Sequence, residues 1–202
     1  DFSGRDPYIP LYHKSPASEA VQIFTYGVHR VTVVDENGCP EGTISQSDVN
    51  KIASQNLHMG HLKHVGERTL SSLVLGQGGV IGVPMSMNVV VALNKMKSEG
   101  VSALAVVDSE GNLKGNLSAR DFFMMFKRSF DDLALTVGEF LTKVSPGSLT
   151  PSCVSTNDHL LDVSKQIATG LHHVWVCEGT KAVGVVTLTD MMILFNAAEI
   201  PS

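Results

Sequence analysis

The 202 residues are 43% apolar and 17% charged, with a net charge of −5 at pH 7. This balance suits a globular chain with a substantial core in one or two compact bodies, and it excludes disorder. No basic surface is offered to a nucleic-acid backbone, and no stretch approaches the roughly 18 apolar residues of a membrane span, so neither partner is expected. The three cysteines, Cys39, Cys153 and Cys177, are odd in number and form no C-x-x-C pair. A disulfide framework or zinc site is therefore not expected, and a reducing compartment, cytoplasm or nucleus, fits best. No charged-then-apolar leader opens the chain, and the start at Asp1 rather than Met reads as a segment of something longer.

In chain order, Ser15-Pro16 leads into a helix with Ala20, Ile23 and Phe24 on its apolar side, ended by Gly27. His29-Arg30 then precedes an apolar run, Val31 to Val34, and Gly42 to Ser45 leads to Asp48. Residues 57–78, rich in His, Gly and Ser, form a linker that must hold a short helix or loop. His58, His61 and His64 recur there every third residue, but no carboxylate or Cys accompanies them, so no metal is expected. Gly76-Gln77-Gly78-Gly79 lacks the Gly-Lys-Ser/Thr that completes a phosphate loop.

The second copy is the clearest. A short extended run, Gly79 to Pro84, precedes a helix whose apolar residues Val89, Leu93 and Met96 recur at helical spacing, with Gly100 at its stop. Leu104 to Val107 is a buried strand, Asp108 to Asn112 a turn, Leu113 to Leu117 the returning strand. Ser118 to Asp121 turns the chain into a helix, Phe122 to Lys127. Asp131 to Phe140 connects to the third copy, with a helical turn at Val137 to Leu141. There Leu160, Val163 and Ile167 share a helix face, Gly170 stops the helix, and a hairpin turns at Glu178 to Lys181. The runs Phe122 to Phe126 and Met191 to Phe195 are apolar around most of a helix, which predicts burial against another repeat, or a partner-protein surface; Trp175 is expected in the core.

The fold class is thus α/β (α+β): tandem units of strand, helix, strand, strand, helix, over residues 1–56, 79–130 and 131–202. From the Gly that stops each helix to the closing Asp the separations are 21, 21 and 20 positions. Each unit ends in Ser/Thr-x-x-Asp: Ser45 to Asp48, Ser118 to Asp121, Thr187 to Asp190. A carboxylate at a strand-to-helix junction is placed to hold both hydroxyls of a ribose, near free N–H groups. The same pattern is also a plain helix cap. The small pair Ser102-Ala103 leaves room for a flat base, and His29-Arg30 supplies cations for a phosphate tail. No arrangement of nucleophile, base and metal ligand supports catalysis, so no enzyme is expected.

Each unit resembles a CBS repeat, a regulatory module that packs in pairs through its sheets. Gly27-Val28-His29-Arg30-Val31, Val101-Ser102-Ala103-Leu104 and Leu171-His172-His173-Val174 resemble the second, third and fourth repeats of the gamma subunit of AMP-activated protein kinase. The resemblance implies a non-catalytic subunit that binds AMP, ADP or ATP between repeats, needs no cofactor, and assembles with kinase catalytic and scaffold subunits. It assigns ribose to the three Asp residues and phosphate to the His-Arg positions. Two departures stand out: Asp48 replaces the Arg of animal second repeats, and His172-His173 replaces His-Arg, which weakens phosphate binding near pH 7. The family's first repeat has no counterpart among these residues, which leaves copy one without its usual partner and predicts self-association or an additional repeat upstream. CBS-repeat inhibitors of protein phosphatases share this arrangement and supply the second reading: a scaffold or inhibitor module that binds a protein with its clefts empty.

Overall fold

A computed structural model describes residues 8–125 and 130–198, so Phe126 and the expected helix end at Lys127 lie outside the described residues. Each repeat builds one three-stranded sheet. In the first, β1 (Pro10–Tyr12) pairs in parallel with β2 (Arg30–Val34), and β2 pairs antiparallel with β3 (Pro40–Ser45). The parallel step needs a crossover, which α1 (Ala17–Phe24) provides; the antiparallel step needs only a turn. The chain then enters α2 (Gln46–Asn56) and a short α3 (Lys63–Gly66). The second repeat repeats the plan with β4 (Gly82–Pro84), α4 (Val89–Ser98), β5 (Ala103–Val107), β6 (Leu113–Ser118) and α5 (Ala119–Met125). After α6 (Val137–Val144) come β7 (Cys153–Val154), α7 (Leu160–Ile167), β8 (His173–Glu178), β9 (Lys181–Thr187) and α8 (Leu188–Ala198). The strand orders are β1-β2-β3, β4-β5-β6 and β7-β8-β9.

The helix stops follow from backbone sterics. Gly27, Gly100 and Gly170 adopt φ of +81°, +67° and +107°, a region that penalises any side chain.

The described residues form two bodies. One holds residues up to 75 together with 156–174 and 186 onward; the other holds 76–155 and 175–185. In the first body α1 packs on α8, and α2 packs on α7 and α8. Repeat one, expected from the sequence to stand without a partner, therefore pairs through its helices with those of repeat three. The driving force is apolar: Phe24, Met191 and Met192 are fully buried, each worth about 1.5–3 kcal/mol. One polar link crosses the same layer. Asn50 Nδ2 donates to the Ser164 carbonyl at 3.1 Å, and Ser164 Oγ donates to Asn50 Oδ1 at 3.1 Å, both residues being buried. The linker joins this body rather than lying in solvent: Leu57 and Leu70 are buried, and the N–H groups of Leu70 and Ser71 donate to the carbonyls of Asp158 and Thr156.

The second body centres on Val83, Val89, Leu104, Val106 and Leu117, closed by Phe140 and Leu141 of α6. Phe122 stacks on Phe140 with ring centres 5.4 Å apart, worth about 0.5–1.5 kcal/mol beyond area burial. Here the segment before α4 is docked by the segment before α6: Val89 N–H donates to Leu135, and Val137 N–H to Met87. Phe123, in the apolar run expected to be buried on several sides, is 64% exposed. At the same register of the other repeats, Asn50 and Met192 are buried.

Candidate functional site

Every repeat builds the same corner where its last strand meets its last helix. The first helical residue donates its N–H to the carbonyl just ahead of the middle strand: Gln46 to His29 (3.0 Å), Ala119 to Ser102 (2.9 Å) and Leu188 to His172 (3.2 Å). The residues read from the sequence as one group per repeat are thereby brought together. Arg30 stands opposite Ser45 across β2 and β3, and Ala103 opposite Ser118 across β5 and β6.

At each corner the Asp carboxylate turns back on its own strand. Oδ2 of Asp48 accepts from the Ser45 N–H (2.9 Å) and hydroxyl (2.6 Å). Oδ2 of Asp121 accepts from the Ser118 N–H and hydroxyl, both at 2.7 Å. Oδ2 of Asp190 accepts from the Thr187 N–H (2.8 Å) and hydroxyl (2.7 Å). In the first and third corners the hydroxyl also accepts the Asp N–H at 3.3 Å, a reciprocal cap of the helix start. The Ser45 hydroxyl, then its N–H, hold the Asp48 carboxyl below its ordinary value of 3.8.

The second oxygen separates the corners. Oδ1 of Asp121 accepts the Ser148 hydroxyl at 2.9 Å, and Asp121 is buried. Ser148 belongs to a 3₁₀ turn, Pro146–Leu149, and its hydroxyl lies 3.0 Å from that of Ser145. Its carbonyl stands 3.1 Å from where a Cβ on Gly115 would sit, so that glycine admits the turn against β6. Asp48 and Asp190 use only Oδ2 among the described residues; Asp48 is exposed and Asp190 half-buried. Each keeps an oxygen able to accept from a ligand hydroxyl or a peptide N–H.

Corners one and three share a body and are tied by Gln46, whose side-chain amide donates to the carbonyls of Phe24 (3.3 Å) and Val28 (3.0 Å) and to the Thr189 hydroxyl (3.2 Å). His29, Arg30 and His172 are exposed around them and His173 is half-buried. Ser102, Ala103, Ser118 and Asp121 stand in the other body. Two residues went unnoticed in the sequence. Gln46 had a signal, being polar at a helix start where the other repeats have Ala119 and Leu188; Ser148 had none.

Three βαββα units with matching strand-to-helix corners define a tandem-repeat fold. The CBS domain family matches residues 4–54, 73–127 and 137–196, and the chain belongs to that family. The chain is 25% identical over 231 residues to Protein SDS23 of Kluyveromyces lactis, covering 93% of this chain and 43% of the relative. It is 30% identical over 195 residues to Protein sds23 of Neosartorya fischeri, covering 88% and 36%. The chain thus spans about two fifths of the length of these two relatives. Among solved structures, Protein MJ1225 of Methanocaldococcus jannaschii, described as an archaeal homologue of g-AMPK, shares the fold with a TM-score of 0.71 at 17% identity, covering 94% of this chain and 67% of that one. The resemblance to the kinase gamma subunit therefore holds for the repeats and their fold.

Proposed function

We propose that this chain is a non-catalytic regulatory module that acts by binding a protein, and that its partner is a protein phosphatase assembly rather than a kinase. The observation that carries the reading is the middle corner. The Asp121 carboxylate, the group best placed by the sequence to hold a ribose, is buried and satisfied through both oxygens by Ser118 and Ser148. Relatives of the Sds23 type, matched over about nine tenths of the chain, support the same choice. Phe123 (64%) and Val91 (53%), exposed on the helices of repeat two, supply apolar area of the kind that protein partners cover. The partner acts through differential affinity for two states of an assembly, and no bond is made or broken.

A second reading, adenine-nucleotide binding, is favoured by one feature: the spare oxygens of Asp48 and Asp190, with His29, Arg30 and His172 exposed in the same body. Two measurements divide the readings. Titrating the chain into a phosphatase catalytic subunit should lower its activity, and Phe123→Asp should abolish the effect while leaving the melting temperature unchanged. In thermal shift, a nucleotide at a hundred times its dissociation constant adds about 2.7 kcal/mol of stability. If AMP, ADP or ATP gives that shift, Asp190→Ala removes it, and phosphatase activity is untouched, the nucleotide reading replaces the first.

A further inference from the structure

Two thiols outside the corners lie against each other. Cys153 on β7 and Cys177 on β8 have their Sγ atoms 2.9 Å apart. In the parallel register Cys153 faces Trp175 and Val154 faces Val176, so Cys177, two residues beyond Trp175, points to the same side as Cys153. A disulfide requires about 2 Å between sulfurs, so about 0.9 Å of side-chain adjustment closes the bond. We propose that Cys153 and Cys177 form a reversible disulfide that ties β7 to β8, a redox modification site with Cys153 as the thiol that meets the oxidant.

The two thiols are not equivalent. Cys153 is exposed, whereas Cys177 is half-buried and pushed up to about 12, by desolvation first and by the neighbouring Cys153 second. Only a thiolate attacks, so the exposed sulfur reacts first. With glutathione disulfide as oxidant, the Cys153 thiolate attacks one sulfur and releases one glutathione thiolate, leaving a mixed disulfide. Cys177 then gives its proton to solvent and attacks the Cys153 sulfur, releasing the second glutathione. Two protein thiols are oxidised and one glutathione disulfide is reduced. The second step waits on the Cys177 thiolate, which burial still disfavours once Cys153 carries glutathione, so it accelerates as the pH rises. Reversible pairs of this kind are the ones that reducing compartments use for sensing.

Cys39, exposed in the turn after β2, supplies an internal control, because no other cysteine is its hydrogen-bond partner. The test treats the 202-residue chain with glutathione disulfide at pH 7 and pH 9 and maps the products by non-reducing peptide mass spectrometry. Expected are a glutathione adduct retained on Cys39, a transient adduct on Cys153 that disappears faster at pH 9, and a Cys153–Cys177 cross-link. The cross-linked chain melts several degrees higher, dithiothreitol reverses the gain, and Cys177→Ser leaves the adduct on Cys153 permanent. A stable adduct on Cys153 in the unaltered chain, with Cys177 still open to alkylation, overturns the proposal. A melting temperature that rises on oxidation of Cys177→Ser to the same extent overturns it as well.

Discussion

Ser148 donates its hydroxyl to Oδ1 of Asp121 across 27 positions of chain, at 2.9 Å. The same carboxylate receives the Ser118 N–H and hydroxyl on Oδ2, so both oxygens of this buried group accept hydrogen bonds from the protein. A motif that repeats three times in sequence is thus closed once and open twice. Ser148→Ala strips a donor from a buried carboxylate and should cost about 1–3 kcal/mol. Asp48→Ala, at the exposed corner, leaves the Ser45 cap in place, removes only its partner in the third helical position, and should cost about 0.5 kcal/mol or less. Urea unfolding of both variants checks the order, and equal midpoints would mean that Ser148 does not lock the middle corner.

What the sequence made legible was local. The left-handed glycines, the strand lengths and the turned-back carboxylates of Asp48, Asp121 and Asp190 depend on residues within a few positions of one another. What it hid depends on distant partners. Ser148 reaches Asp121 through a turn with no signature, and Asn50 meets Ser164 over 114 positions. The pairing of repeat one with repeat three follows from helix faces whose apolar character was visible but whose addressee was not. Phe123 and Met192 occupy the same register in nearly identical apolar runs, yet only Met192 is covered. Pattern tells that a face is apolar; only topology tells which faces meet.

Acid should reveal the turn of the second hairpin. Asp108 accepts from the Asn112 side chain (3.0 Å), from the N–H groups of Asn112 and Glu110 (both 2.9 Å), and faces Lys114 at 3.4 Å. The Asn112 side chain first, then the main-chain N–H groups, lower its carboxyl from 3.8 to about 2. A depressed folded-state value stabilises the fold fully above about pH 4, and the benefit is lost as pH falls toward 2. Asp108→Asn should therefore melt below the parent at pH 7, with the gap narrowing as the pH falls from 4 to 2. A gap that stays constant over that range would remove the carboxylate from the account.

Gly184 on β9 and Gly42 on β3 hold the same register in their repeats, and their surroundings differ sharply. A Cβ on Gly184 would lie 1.4 Å from the Gly76 carbonyl oxygen, whereas a Cβ on Gly42 meets nothing within 4 Å. Backbone, not a flexible side chain, blocks the first position. Gly184→Ala should cost about 3 kcal/mol or more, because the Gly76 main chain must move away. Gly42→Ala should be neutral, or stabilising by up to about 0.5 kcal/mol through the lost freedom of the unfolded chain. Paired thermal melts read both, and a tolerated Gly184→Ala would show that residues 76–79 do not press on β9.

Asn50 offers the sharpest test of the pairing between repeats one and three. Its amide donates to the Ser164 carbonyl and its Oδ1 accepts the Ser164 hydroxyl, each at 3.1 Å, between α2 and α7 in a layer otherwise lined by Phe24, Met191 and Met192. Asn50→Ala deletes both bonds, opens a small void and leaves the buried Ser164 hydroxyl without its acceptor, while the Ser164 carbonyl keeps the Ala168 N–H at 2.9 Å. The loss should be about 2–4 kcal/mol. Replacing both partners together, Asn50→Ala with Ser164→Ala, removes the orphaned hydroxyl, so the double variant should cost less than the sum of the two single ones. A double-mutant cycle by chemical denaturation measures that coupling. If the two single substitutions simply add, the pair is not a joint across the helix layer.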